Sequence, residues 1–377
     1  MPPLPASLPA CHVLTPQGLR LALTLDASLP LTIFAAESLR PAAQHASPSA
    51  PIRWFASLPE LIRREFHHFP AHIFLTAAGI AVRCIAPHVR HKSSDPAVLV
   101  LDQYGRFAIP LLSGHWGGGN ALARTLAGIT GGEAVLTTAT DTAGLPAIDE
   151  LARAHDCAIA DWGEIRHVSA ALLREHPVPL LDPHGILPEA EASPRWFPRV
   201  AELPTAGPAI CVDWRSYPAR PGLLRLIPRR LALGVGCRRG VDADTILAAI
   251  HAAFTAAELA PEACRALASI DAKRHEAGLL DAAARLGLPC VWHTAAELAA
   301  CAVPHPSPRA ERVFSAPGLG VCEGAALCAA GPGARLVLPK LRFRGCVTVA
   351  IARAAVRTAH APAAMPGILP IQTERIC

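Results

Sequence analysis

Between residues 10 and 155, short apolar runs alternate with segments whose apolar residues recur every three or four positions, the pattern of strands followed by amphipathic helices. The sharpest instance spans residues 109–141. Ile109, Leu111 and Leu112 belong to an apolar run that stops at Ser113, Gly114 and His115. The chain passes through Gly117, Gly118 and Gly119 and resumes at Asn120 with helical spacing, Leu122, Leu126 and Ile129 sharing one face. Gly131 and Gly132 close that helix, and a second β-like run, residues 134–138, leads into the polar set Thr137, Thr138, Thr140 and Asp141. This predicts a βαβ unit, whose ligands collect in the loops beyond the strand C-termini.

The same reading extends in both directions. Strands are expected at residues 12–15, 30–34, 72–75 and 97–101, and helices at 16–25, 58–69, 82–86 (stopped by Pro87) and 145–155. Leu61, Ile62, Phe66 and Phe69 mark the buried side of the 58–69 helix, and Thr76 to Gly79 forms a second strand-to-helix turn of the ligand-binding kind. The pattern weakens over residues 158–228, where a helix (162–175) and short strands (179–181, 209–212, 223–227) are separated by proline-rich turns. From Leu231 it returns. Strands are expected at 231–235, 267–270, 291–292, 335–338 and 346–352, with helices at 246–258 (capped by Asp242 or Asp244) and 277–286. Glu323 falls in a loop ahead of an alanine-rich helix. The fold class is α/β, with N-terminal and C-terminal α/β domains of mostly parallel sheets joined by a small middle domain. The expected boundaries are 1–157, 158–229 and 230–355, with a tail at 356–377.

Composition narrows the possible functions. With 51% hydrophobic residues, 377 residues bury a sizeable core, yet no apolar run reaches the roughly 18 residues needed to span a bilayer. Neither a basic leader nor a continuous apolar leader opens the chain, so a soluble, cytoplasmic protein is expected. The twelve cysteines include no CxxC pair and read as buried thiols. Among 17 histidines, His88 and His91 form an HxxH, while Pro70 interrupts the helix that His68 and His72 would need, so no protein-built metal site is expected. The net charge of +5 comes from arginine without aromatic interleaving, which argues against a nucleic-acid partner. Lysine occurs only at positions 92, 273 and 340, and asparagine only at 120, where it reads as an N-cap. The glycines are expected to let backbone N–H groups approach an anion at a helix N-terminus, or else simply to make a tight turn.

Three phrases together resemble one family. They are FLTAAGIAVRCIAPHVRHKSSDPAVLVLDQYGRFAIPLL (residues 74–112), SGHWGGGNALAR with TTATD, and LGVGCRRG, SIDAKRHEAGL and LPKLRFRGCVTVAIAR towards the C-terminus. In order and spacing they are similar to the cobalt-precorrin-5A hydrolases of anaerobic cobalamin biosynthesis, over about residues 60–352. The resemblance implies that the chain opens the ring A δ-lactone of cobalt-precorrin-5A and releases acetaldehyde, giving cobalt-precorrin-5B. Cobalt would then arrive inside a small-molecule cobalt-corrinoid, and no cofactor would be needed.

That chemistry requires a base for water, donors for an oxyanion and cations for carboxylate side chains. The expected catalytic residues are His115 as base, Asp141 as orienter or alternative base, and Glu323 as acid or base. Oxyanion donors are expected from the N–H groups of Gly117, Gly118 and Gly119. The expected substrate-binding set adds Thr76, Gly79, Lys92, Ser113, Gly114, Asn120, Thr138, Thr140, Cys237, Arg238, Arg239, Asp271, Lys273 and Lys340. A non-catalytic tetrapyrrole-binding or scaffolding role stays open, as do a homodimer and transient contact with neighbouring pathway enzymes. A phosphate-handling enzyme is disfavoured, because no Walker lysine follows the glycines.

Overall fold

The computed structural model describes residues 8–43, 48 and 51–355. The expected tail at 356–377 lies outside them. Two compact units emerge, one ending at Ala154 but also taking in Asp161–Pro177, the other made of His155–Ala160 and the chain from Val178 onward. Residues 161–177, which the sequence pattern groups with the middle segment, therefore pack with the first unit.

The first unit is built on a seven-stranded sheet. Its strands are β1 (Ala10–Val13), β2 (Thr32–Ala36), β3 (Arg53–Phe55), β4 (Ala71–Leu75), β5 (Ala97–Leu101), β6 (Phe107–Leu112) and β7 (Glu133–Ala134), in the order β3-β2-β1-β4-β5-β6-β7. All neighbours run parallel except β5 and β6, a hairpin turned at Gly105. Every residue of β4 and β5 is buried, as befits strands covered on both faces. Helices Pro16–Asp26 and Gly119–Thr130 cover one face through Leu19, Leu25, Ala123 and Leu126. Helices Leu58–Glu65 and Ala78–Ile85 cover the other through Leu61, Ile62, Ala81 and Ile85. Thr15 caps the first helix by accepting from the Gly18 N–H, and Pro16 sits where its missing donor costs nothing.

Sequence and structure part company after the Gly119–Thr130 helix. Only Glu133 and Ala134 pair with β6, and from Thr138, at the N-cap position, the chain turns into a short helix, Ala139–Thr142, before it reaches helix Ile148–Ala154. Asp141 thus sits on a helical turn rather than at a strand end.

The second unit holds two sheets. One has β8 (Cys157–Ile159), β9 (Leu180–Leu181), β10 (Ala209–Val212) and β11 (Leu223–Pro228) in the order β8-β11-β10-β9, with only β8 antiparallel. The other has β12 (Leu231–Cys237), β13 (Cys264–Ile270), β14 (Cys290–His293), β15 (Arg335–Phe343) and β16 (Val347–Arg353) in the order β14-β13-β12-β16-β15. There β12, β13 and β14 run parallel, while β16 is antiparallel to both β12 and β15. Asp242 caps helix Ala243–Ala256 by accepting from the Thr245 N–H. Among the described residues, no helix is long and apolar enough to cross a membrane.

Candidate functional site

The chain leaves β6 at Ser113, whose backbone is left-handed, and Ser113 Oγ ties the loop back to the carbonyl of Asp95 at 3.0 Å. Three backbone bonds then wind the glycines into a compact loop. Gly118 N–H donates to His115 O, Gly119 N–H to Ser113 O, and Asn120 N–H to Gly114 O, at 2.9, 3.1 and 2.8 Å. Gly118, with φ of 79°, occupies the cap position of helix Gly119–Thr130. This corrects two expectations. The amides of Gly118 and Gly119 are committed within the loop, so they are not free oxyanion donors. Asn120 is not the cap but lies inside the first turn, buried, with its side chain turned towards the 138–141 segment.

That side chain helps to build the site. Asn120 Nδ2 donates to Asp141 Oδ2 at 2.8 Å and to Thr138 Oγ1 at 3.1 Å. Thr138 Oγ1 donates to the same Asp141 oxygen, and Arg124 reaches the other at 2.5 Å. His115 Nε2 completes the set at 2.6 Å from Asp141 Oδ2. Burial alone would raise the Asp141 carboxyl, but the bonds from Thr138, His115 and Arg124 outweigh it and hold the group below its ordinary value. The other ring nitrogen of His115, Nδ1, lies 3.4 Å from Asp149 Oδ1. Asp149, against the opposing cost of burial and together with Asp141, pushes the imidazole up from 6.5 to about 9. His115 is therefore an imidazolium at neutral pH with both nitrogens occupied. Such a group gives up a proton and stabilises developing negative charge. It is not the resting-state base expected from an unperturbed histidine.

Sequence reasoning missed Asp149. An acidic residue in the first turn of a helix reads as a partner for the helix dipole, and only the tertiary fold turns it towards His115.

The remaining expected residues separate into other groups. Thr76 Oγ1 bonds to the neighbouring Ala77 carbonyl, and the Gly79 carbonyl accepts from Arg83. Thr140 is buried in the short Ala139–Thr142 helix. In the second unit, Lys273 pairs with Glu276 at 2.8 Å, and Glu276 also accepts from the Gly240 N–H. Lys273 is thus already neutralised beside Cys237, whose thiol burial pushes up. Arg238 and Arg239 are exposed after β12, and Asp271 is half-buried in the turn after β13.

Glu323 differs most from expectation. It lies in the first turn of helix Val321–Ala330, fully buried, accepting from the Lys340 N–H, the His305 N–H and His305 Nδ1 at 2.9, 3.0 and 2.8 Å. Burial alone would raise its carboxyl, but these bonds more than compensate and lower it. Lys340 Nζ donates to the carbonyls of His305 and Pro306. Both residues fasten the loop around His305 to β15, Glu323 as an interior brace and Lys340 through two of its three ammonium N–H groups. A groove of about 720 Å³ lies in the same unit and includes His293, Glu297, Cys301 and Cys328, but none of the expected site residues. Among the described residues, no three His, Cys, Asp or Glu side chains are placed to hold a metal ion.

Comparison with known proteins supplies the family. Residues 60–141 match the family described as "Cobalamin synthesis G N-terminal", residues 146–228 "Cobalamin biosynthesis central region" and residues 231–352 "Cobalamin synthesis G C-terminus". Cobalt-precorrin-5A hydrolase of Salmonella typhimurium is 36% identical over 296 residues, covering 77% of this chain and 82% of that protein. The chain belongs to the cobalt-precorrin-5A hydrolase family. A second member, from Priestia megaterium, is 28% identical over 311 residues, covering 78% of this chain and 82% of its own. Protein CobE from Sinorhizobium is 35% identical over 146 residues, 84% of that protein but only 38% of this one. The glycine loop and Asp141 both fall inside the N-terminal region of the hydrolase family, and Asp149 opens its central region.

Proposed function

We propose that the chain hydrolyses cobalt-precorrin-5A, opening the ring A δ-lactone and releasing acetaldehyde, with the chemistry centred on His115 and Asp149. Family membership supports the reaction. The observation that carries the assignment of residues is a histidine ring held between two carboxylates at the end of a glycine loop.

In this reading Asp149, whose second oxygen has no partner among the described residues, takes a proton from water as the water adds to the lactone carbonyl. The His115 imidazolium stabilises the resulting oxyanion and gives its proton to the ring oxygen as the C–O bond breaks. The neutral imidazole then recovers a proton from the freed alcohol while the adjacent C–C bond breaks and acetaldehyde leaves. The electron pair passes into the conjugated macrocycle, which takes up the proton stored on Asp149. Both residues return to their starting states. Asp141, fixed by Asn120, Thr138 and Arg124, holds the ring in place and acts through His115. Cobalt enters and leaves with the substrate, and a cytoplasmic location and a freely diffusing corrinoid go with this reading.

The test is to incubate purified protein with cobalt-precorrin-5A and measure acetaldehyde by coupled reduction. The wild type is expected to release one equivalent, and His115→Ala to be slower by about a hundredfold or more. A wild-type protein that binds the corrinoid but releases nothing would make the chain a binding component instead.

A further inference from the structure

Of the three lysines, two are already engaged, Lys273 by a carboxylate and Lys340 by backbone carbonyls. Lys92 is held differently. Its ammonium lies over the Trp162 ring, 5.6 Å from the centroid, with the His91 ring edge-on to the same indole at 6.1 Å. A ring face positions a cation without neutralising it. Trp162 in turn meets Trp116, the aromatic residue of the glycine loop, edge to face at 5.0 Å and 89°, and both indoles are half-buried. The Arg153 guanidinium lies against Gly118 of the same loop, where a Cβ would stand 3.4 Å from its central carbon. Among the described residues, neither Lys92 nor Arg153 has a carboxylate within ion-pair distance. Both are exposed.

We infer that Lys92 and Arg153, flanking the Trp116–Trp162 pair, form a specificity rim for a flat, carboxylate-bearing macrocycle, the indoles covering part of its apolar edge and the two cations each taking one carboxylate. The inference rests on the proposed substrate, and it adds Arg153, Trp116 and Trp162 to the residues that contact it. Unneutralised cations at the rim of an aromatic surface suit a planar polyacid, because each carboxylate gains a charge-assisted bond that the free protein lacks. A guanidinium and an ammonium differ in shape, so the two positions would not accept exchange equally.

Two measurements on the full-length protein test this. Cobyrinic acid, a cobalt corrinoid with free carboxylates, is titrated while tryptophan fluorescence is followed, alongside a corrinoid of the same ring whose carboxylates are all amidated. The wild type is expected to bind the free acid at least tenfold more tightly. Lys92→Met and Arg153→Met are each expected to weaken free-acid binding about tenfold, the value of one charge-assisted contact, with Lys92→Arg retaining most of it. Trp162→Phe is expected to lose most of the quenching. In steady-state turnover of cobalt-precorrin-5A, the same two methionine variants raise KM far more than they lower kcat, as expected for contacts made equally in ground and transition states. Equal affinity for the two corrinoids, or an unchanged KM in both methionine variants while the wild type turns over, overturns the rim. A wild type that discriminates between the corrinoids but forms no acetaldehyde overturns the proposed reaction and leaves the rim standing.

Discussion

His115 carries a charge that its surroundings supply, and the consequence is a defined pH response. Its folded value is raised from 6.5 to about 9, so its contribution to stability is complete below 6.5 and lost as pH climbs through 9. The Asp141 carboxyl is lowered from 3.8, so its contribution is complete above 3.8 and lost as pH falls through the lowered value. Between 3.8 and 6.5 both act together. Denaturant titrations across pH should therefore show the wild type losing about 2 kcal/mol between neutrality and pH 10 that His115→Ala does not lose, a figure discounted for solvent at the partly open edge of the ring. An identical alkaline slope in the two proteins would mean that the imidazolium is not what holds the pair of carboxylates together. Turnover should follow the same group, falling above pH about 9 as the proton donor is lost. Asp149→Asn removes both the proposed base and the largest influence raising His115. It should lower acetaldehyde release about a hundredfold and also move the alkaline limb towards lower pH. A drop in rate with an unmoved limb would separate Asp149 from His115.

The Gly119–Thr130 helix and the loop ahead of it show which parts of the site could be seen in the sequence and which could not. The spacing of Leu122, Leu126 and Ile129 identifies the helix, and Leu126 is fully buried while its two companions pack at the edge of the core. The glycines are legible as a loop but not by purpose. A Cβ on Gly114 would stand 2.5 Å from Asn120 Oδ1, and one on Gly117 would stand 2.5 Å from Ser113 Cβ, so close packing rather than anion binding demands them. Glu323 reads as a loop residue because glycines flank it. Gly324 is nevertheless helical, and a Cβ there would sit 3.0 Å from the Leu298 carbonyl. Local patterns carry no information about such long-range approaches, or about Asp149 meeting His115 and Trp162 meeting Trp116. Two alanines separate these effects. Gly128, exposed on the same helix with nothing within 4 Å of a new Cβ, should gain up to about 1 kcal/mol as Gly128→Ala, measured by thermal unfolding. Gly114→Ala should instead lose about 1–3 kcal/mol and slow turnover as well, because displacing the Asn120 amide leaves Asp141 short of a donor. A stable, fully active Gly114→Ala would show that Asn120 does not position the carboxylate.

At the scale of the molecule, three sheets are distributed over two units, and the middle sheet joins the C-terminal one. The Ala260 N–H donates to Trp214 O and the Ser216 N–H to Glu258 O, Arg353 lies over the Trp214 ring at 4.9 Å, and the Ala354 N–H donates to Arg230 O. Strain introduced beside β12 should therefore reach β9, β10 and β11, although the chain order sets those strands apart. Gly234 offers the means. It lies on β12 where helix Val321–Ala330 passes so closely that a Cβ would come within 1.9 Å of the Cys322 carbonyl and 2.7 Å of the Ala326 nitrogen, backbone atoms that cannot swing aside. Gly132 is its counterpart in the first unit, with a new Cβ 2.2 Å from Gly105 O, beside the β5–β6 hairpin. Hydrogen exchange read peptide by peptide should show Gly234→Ala loosening β8 to β16 together while β1 to β7 keep their protection, and Gly132→Ala doing the reverse. If β9 to β11 keep full protection in Gly234→Ala while β12 to β16 lose it, the middle sheet is an independent cooperative element, and the contacts around Trp214 couple nothing. If both sheets of the second unit respond as one, those contacts make the middle and C-terminal segments a single folding unit that carries the exposed Arg238 and Arg239 on the same body as the middle sheet.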